Sequence, residues 1–145
     1  MTLPLDRATF SPGVRAADWR AAVRAAGVDL VTAGAVGRAY VDELVQQIEQ
    51  SGPYCVVAPG VAVPHARASA VVRRDALAIV VLEEPVVFGH PHHDPVRVVI
   101  GLAATSAKRH LTMLAELANA LDASGVADRI AAATARDEAI EALRP

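Results

Sequence analysis

Ala76-Leu77-Ala78-Ile79-Val80-Val81-Leu82 is an unbroken apolar run, and Val96-Arg97-Val98-Val99-Ile100-Gly101-Leu102 comes close to repeating it. Neither alternates apolar with polar residues, as a strand wetted on one face would. Both are rich in β-branched Val and Ile. Each is therefore expected to be a strand covered on both faces, which requires a layer of helices on either side of the sheet. Both runs are far shorter than the roughly 20 residues needed to cross a bilayer.

The flanking sequence supplies the helices. Residues 16–33 carry Trp19, Ala22, Val23, Ala26 and Leu30 at helical spacing, with Asp18 as N-cap and Gly34 as stop signal. A second helix is expected over 37–50, where Tyr40, Val41, Leu44, Val45 and Ile48 form an apolar stripe that ends at Ser51-Gly52-Pro53. Cys55–Ala58 and Val61–Val63 read as short strands around Pro59-Gly60. Residues 83–95 hold three prolines and one strand-like patch, Val86-Val87-Phe88.

From Thr105 the helical period returns in Leu111, Leu114, Leu117, Ala118 and Leu121. Shorter helices follow over 126–133 and 136–143, with Ser124 and Thr134 as candidate N-caps. The order predicts one α/β domain over 1–145, with 1–13 as a loose N-terminus and helices covering a mixed sheet.

Composition excludes several functions. The net charge is −2 and aromatics make up only 3% of the chain, so neither a basic footprint nor a stacking platform for nucleic acid is present. The lone Cys55 cannot pair within the chain and fits a reducing compartment. Val56 and Val57 beside it suggest a buried, inert thiol. Residues 1–10 lack a signal-peptide core. A cytoplasmic protein with no membrane insertion is expected. No phosphate-binding glycine loop of the P-loop or dinucleotide type occurs, nor a Gly-x-Ser-x-Gly elbow. Glu83 and Glu84 are adjacent on a strand and so face opposite ways, unlike a general acid/base pair.

The chemistry concentrates in histidine. His65 ends the stretch Val61-Ala62-Val63-Pro64-His65-Ala66-Arg67, where Pro64 terminates the sheet ladder. A strand's carboxyl end is where α/β folds usually bind ligands, and neutral imidazole is a nucleophile. An exposed turn residue explains His65 equally well on spacing alone. Arg67, two residues on, is placed to face an anion.

His110 lies in the first turn of the helix opened by Thr105 and Ser106, whose free N–H groups favour negative charge. By itself it also reads as a surface helix residue. His90, His92, His93 and Asp94 suit zinc by type, but two prolines hold them in a loop with no matched ligand spacing. A solvated loop is the better reading, with a His-loop metal module as the alternative from another class.

Together these stretches resemble the mannitol/fructose/ascorbate superfamily of phosphotransferase-system enzyme IIA domains. The matching residues are Gly52-Pro53-Tyr54, Ala58 through Arg67, Pro85-Val86-Val87-Phe88-Gly89-His90, Asp94-Pro95-Val96, Val99 through Ala104, and His110-Leu111 leading into Leu114-Ala115-Glu116-Leu117. Asp18-Trp19, Ala33 through Val36 and Tyr40 fall in the same order. Pro64-His65-Ala66-Arg67 and the Phe88-Gly89-His90 segment look most like the ascorbate branch, whereas His92 and His93 depart from it.

The resemblance implies a three-layer α/β/α sandwich with a mixed, mostly parallel sheet. It implies a phosphoryl carrier with no cofactor, whose His65 accepts phosphate from phospho-HPr. His110 would support it, and an enzyme IIB serving a membrane enzyme IIC would receive the group. Arg67 and Ser106 are expected beside the phosphate, and a homodimer is left open. A regulatory enzyme IIA, read through its phosphorylation state, is the alternative within the family. A degenerate carrier kept as a scaffold is the weakest.

Overall fold

The two apolar runs are the central strands of a five-stranded sheet in the computed structural model, which describes residues 2–145. In chain order the elements are strand β1 (Thr9–Val14), helices α1 (Trp19–Thr32) and α2 (Ala39–Ser51), and strands β2 (Val56–Ala58), β3 (Val61–Ala62), β4 (Ala76–Val86) and β5 (Val96–Ala103). Helices α3 (Ala107–Asp122), α4 (Val126–Ala132) and α5 (Arg136–Leu143) complete the chain. The sheet order is β1-β4-β5-β3-β2.

Side chains along β4 alternate between two separate cores. Ala76, Ala78, Val80 and Leu82 pack with Ala26, Leu30, Tyr40 and Leu44 of α1 and α2. Leu77, Ile79 and Val81 pack with Met113, Leu117, Ile130 and Leu143 of α3 to α5. This is the expected α/β/α sandwich, and it explains why the strand sequence never alternates. Each fully buried Leu or Ile contributes roughly 1.5–3 kcal/mol. Gly101 lets β5 approach α1 closely, since a Cβ there would stand 3.1 Å from the Ala26 Cβ.

The sheet is mixed, but the expectation of mostly parallel pairing needs correction. β1–β4 and β3–β5 are parallel, whereas β4–β5 and β2–β3 are antiparallel. The link over 87–95 is shorter than the dozen or more residues a crossover needs, so the two longest strands pair antiparallel.

The loose N-terminus is also corrected over the described residues. Leu3, Leu5 and Ala8 are buried, Leu5–Arg7 forms a 3-10 turn, and β1 pairs with β4 from Thr9. The Arg136 guanidinium donates to the carbonyls of Leu5, Asp6 and Ala8, fastening this segment to α5. Polar residues among the apolar ones conceal that pattern in the sequence. Met1 lies outside the described residues.

Asp18 caps α1 as expected, accepting from the Ala21 N–H at 2.9 Å. The caps of α4 and α5 are Gly125 and Ala135, each one residue beyond the expected Ser124 and Thr134. Thr134 instead donates its hydroxyl to Glu138.

Because β3 and β5 run the same way, their carboxyl ends share one end of the sheet with the start of β4. Three loops meet there. Val36 bridges Val72, the Arg73 N–H donates to the Ala35 carbonyl, and the Leu102 N–H donates to the Pro64 carbonyl at 3.0 Å. The turn after β4 lies at the opposite end, where the Gly60 N–H donates to the His93 carbonyl at 2.9 Å.

Candidate functional site

His65 stands just past β3, bridged in parallel to Leu102 of β5. Its ring is partly buried, and Nδ1 lies 2.7 Å from the Val63 carbonyl oxygen. A carbonyl only accepts, so Nδ1 carries the proton and the Nε2 lone pair is left free. The ring nitrogen that bonds to the backbone thereby selects which nitrogen is nucleophilic.

The His110 ring on α3 sits edge-on to that of His65, with centroids 4.9 Å apart and planes at 88°. Sequence reasoning placed these two residues at a strand end and a helix start, and the fold brings them together. Burial lowers the proton affinity of His110 below that of an ordinary histidine, and the neighbouring His65 lowers it further. A neutral His110 with one N–H is suited to hydrogen-bond an incoming anion. The same anion would then favour protonation of His110.

Ser106 is the N-cap of α3 and accepts from the Arg109 N–H at 3.1 Å. Its side chain therefore fixes the helix start. Arg109 is committed to structure. Its Nε donates to Asp75 Oδ2 at 2.8 Å, and its terminal nitrogens donate to the Thr2 hydroxyl and carbonyl. Asp75 Oδ1 also accepts from the N–H and hydroxyl of Thr105. Burial would raise the Asp75 affinity for a proton, but the bonds from Arg109 and Thr105 outweigh it and hold the carboxyl below its usual range. Arg67 is exposed and borders a shallow depression with Glu43, Gln46, Gln47, Gln50 and Ser69.

Two structural supports escaped sequence reasoning. Tyr40, whose spacing marks it as part of an apolar stripe, is fully buried. Its hydroxyl donates to the Leu102 carbonyl at 2.7 Å and accepts from the Ala66 N–H at 3.2 Å. It thus joins the end of β5 to the residue after His65. Burial pushes its proton affinity up to about 12, which keeps the phenol protonated at neutral pH. Asp75 is the second, and nothing in its local sequence marks it as the partner of Thr105 and Arg109.

Val61, Val63 and Phe88 are all buried and lend no apolar surface to the site. The large apolar side chains exposed near the histidines are Leu111, beside His110 and 70% exposed, and Tyr54, 81% exposed. Tyr54 precedes Cys55, whose carbonyl accepts from the Val63 N–H. Cys55 itself is buried, with its thiol pushed up to about 12 by that burial.

The four loop residues His90, His92, His93 and Asp94 lie at the opposite end of the sheet from His65. Asp94 accepts from the N–H groups of Phe88, Gly89 and His90. His90 Nδ1 accepts from the N–H groups of His92 and His93. The His90 and His93 rings stack at 4.6 Å and 10°, so their in-plane lone pairs run side by side without converging. No group of three metal-ligating side chains converges among the described residues.

The fold is shared with known proteins. Residues 4–144 match the family model described as phosphoenolpyruvate-dependent sugar phosphotransferase system, EIIA 2. The ascorbate-specific EIIA component of Mycoplasma pneumoniae is 41% identical over 97 residues, which is 67% of this chain and 60% of that protein. The chain therefore spans less than two-thirds of that relative's length. The ascorbate-specific EIIA component of Shigella boydii is 35% identical over 127 residues, 86% of this chain and 82% of that protein. The complex of enzyme IIAMtl with phosphorylated enzyme IIBMtl from Escherichia coli superposes with a TM-score of 0.81 at 32% identity, covering 93% of each chain. No helix among the described residues is long and apolar enough to cross a membrane.

Proposed function

This chain belongs to the EIIA 2 family of the phosphoenolpyruvate-dependent sugar phosphotransferase system, and on that premise we propose that His65 Nε2 is the atom that takes and gives the phosphoryl group. The observation that carries this reading is the 2.7 Å contact of Nδ1 with the Val63 carbonyl, which holds the proton on Nδ1 and frees Nε2. The His110 ring stands beside it.

The Nε2 lone pair attacks phosphorus in phospho-HPr. The new nitrogen–phosphorus bond forms as the donor's bond breaks, and the donor nitrogen recovers its electron pair. In-line transfer of this kind depends on positioning and charge compensation more than on other covalent chemistry. His110 supplies a hydrogen bond to the phosphoryl oxygens. The α3 N-terminus capped by Ser106 supplies partial positive charge, and Arg67, exposed two residues beyond His65, supplies a cation.

The group then passes to an enzyme IIB, which serves a membrane enzyme IIC on the cytoplasmic side. Ascorbate or a related sugar is the substrate class of the system, on the strength of the two relatives named above.

The test is incubation with phosphoenolpyruvate, enzyme I and HPr, followed by peptide mapping. Acid-labile, base-stable phosphate is expected on the peptide that holds His65. Undiminished loading of His65→Ala would overturn the assignment.

A further inference from the structure

The three loops that frame the two histidines cover residues 33–38, 64–75 and 103–110. They carry Arg38, Arg67, Arg73, Arg74, Lys108 and Arg109 against a single carboxylate, Asp75. Asp75 is spent on Arg109. The other five cations are exposed, and none has an ion-pair partner among the described residues.

These loops are bound to one another. Arg74 donates to the Ala33 carbonyl, Gly37 donates to Val71, and Thr105 donates to Asp75. Arg73, Arg74 and Arg109 also line, with Arg7, a cleft of about 440 Å³ beside the start of α3. Unpaired acids at this end include Asp6, in that cleft, and Glu43 of α2, beside Arg67. At the far end of the sheet the charges are mixed, with Asp18, Glu83, Glu84 and Asp94 alongside Arg15, Arg20 and Arg97. A chain of net charge −2 thus presents a cationic face around its histidines.

We propose that the cationic end is a docking face that selects an enzyme IIB with an acidic rim around its phosphoacceptor residue. This rests on the reading of His65 as the carrier. A fixed patch of one sign raises the encounter rate of an oppositely charged partner and repels a like-charged one. Its reach is set by a screening length of about 8 Å at physiological salt. Arg38, Arg73, Arg74 and Lys108 have no part in the transfer proposed above, so they act on encounter and orientation.

The experiment loads the whole protein through phosphoenolpyruvate, enzyme I and HPr. It then follows transfer to its cognate enzyme IIB by rapid quench across a salt series. The second-order rate constant is expected to fall roughly tenfold between low and high salt. Arg73→Glu with Arg74→Glu should lower it by a similar factor and flatten the salt dependence. Arg38→Glu with Lys108→Glu is an independent pair, in case the first disturbs the loops. Glu84→Lys at the far end should leave the rate unchanged. A rate that is flat or rises with salt, or charge reversals no more damaging than Glu84→Lys, overturns the docking face while leaving the carrier reading intact. Failure of the wild-type protein to load His65 defeats the carrier reading first, and the docking face with it.

Discussion

The His65 and His110 rings meet edge to face, 4.9 Å apart at 88°, although 45 positions separate them in the chain. Their proximity makes each ring part of the other's electrostatic environment. It follows that a phosphoryl dianion on His65 must change the titration of His110.

In the unphosphorylated protein, burial and His65 hold His110 below its ordinary proton affinity. A dianion placed beside it acts in the opposite direction and favours imidazolium. Titration by NMR is expected to show the His110 midpoint rising on phosphorylation. Phosphorylation should then be accompanied by proton uptake at neutral pH. An unchanged His110 midpoint would remove it from the phosphate's surroundings.

The same depressed affinity has a consequence for stability. The folded state binds the His110 proton less readily than the unfolded chain does. The contribution is therefore fully present above the ordinary histidine pKa of about 6.5 and is lost as pH falls through the lower folded value. Denaturant melts between about pH 5 and 7 should show a shallower loss of stability in His110→Gln than in the natural protein.

Tyr40 was legible as core but not as part of the site. An apolar stripe at helical spacing announces burial, whereas the partner of a buried hydroxyl depends on which strand ends lie above it. That information is in the sheet order, which puts Leu102 of β5 next to the segment after β3. Likewise, His65 and His110 were each ambiguous alone, and only the parallel register of β3 on β5 makes them neighbours. The two covered strands could be read directly, since continuous β-branched runs have few other solutions. The edge strand β1 could not.

Replacing Tyr40 with Phe leaves the Leu102 carbonyl and the Ala66 N–H without their partner in a closed core. The expected cost is about 1–3 kcal/mol of stability. The rate of loading at His65 should also fall, because the residue that follows it loses its tether to β5. Denaturant unfolding and single-turnover phosphorylation check the two effects separately. Unaltered loading with lowered stability would confine Tyr40 to packing.

Asp75 holds the start of α3 through Thr105 and Arg109, and its carboxyl stays ionised below the usual range because those bonds outweigh its burial. Its stabilising effect is present above the unfolded carboxylate value of about 4 and disappears as pH falls through the lower folded one. Asp75→Asn keeps the shape but gives up the charge. It is expected to lose about 1–2 kcal/mol at neutral pH and to converge on the natural protein in acid. Equal destabilisation at all pH values would show that the charge is not what holds α3.

The histidine loop offers a last test, in which metal binding and loop architecture predict different outcomes. Asp94 accepts from three backbone N–H groups and His90 Nδ1 from two more, so two of the groups a metal would need are already engaged, whereas His93 Nδ1 has no partner. Asp94→Ala strands donors at the turn between β4 and β5 and is expected to destabilise the protein by about 1–3 kcal/mol, with or without zinc. Zinc titration of the natural protein should give no stoichiometric site that disappears when His92 and His93 are replaced together. If such a site appears, and zinc raises the melting temperature of the natural protein but not of the double variant, the loop must rearrange to bind metal. The amide bonds to Asp94 and His90 would then be what it gives up.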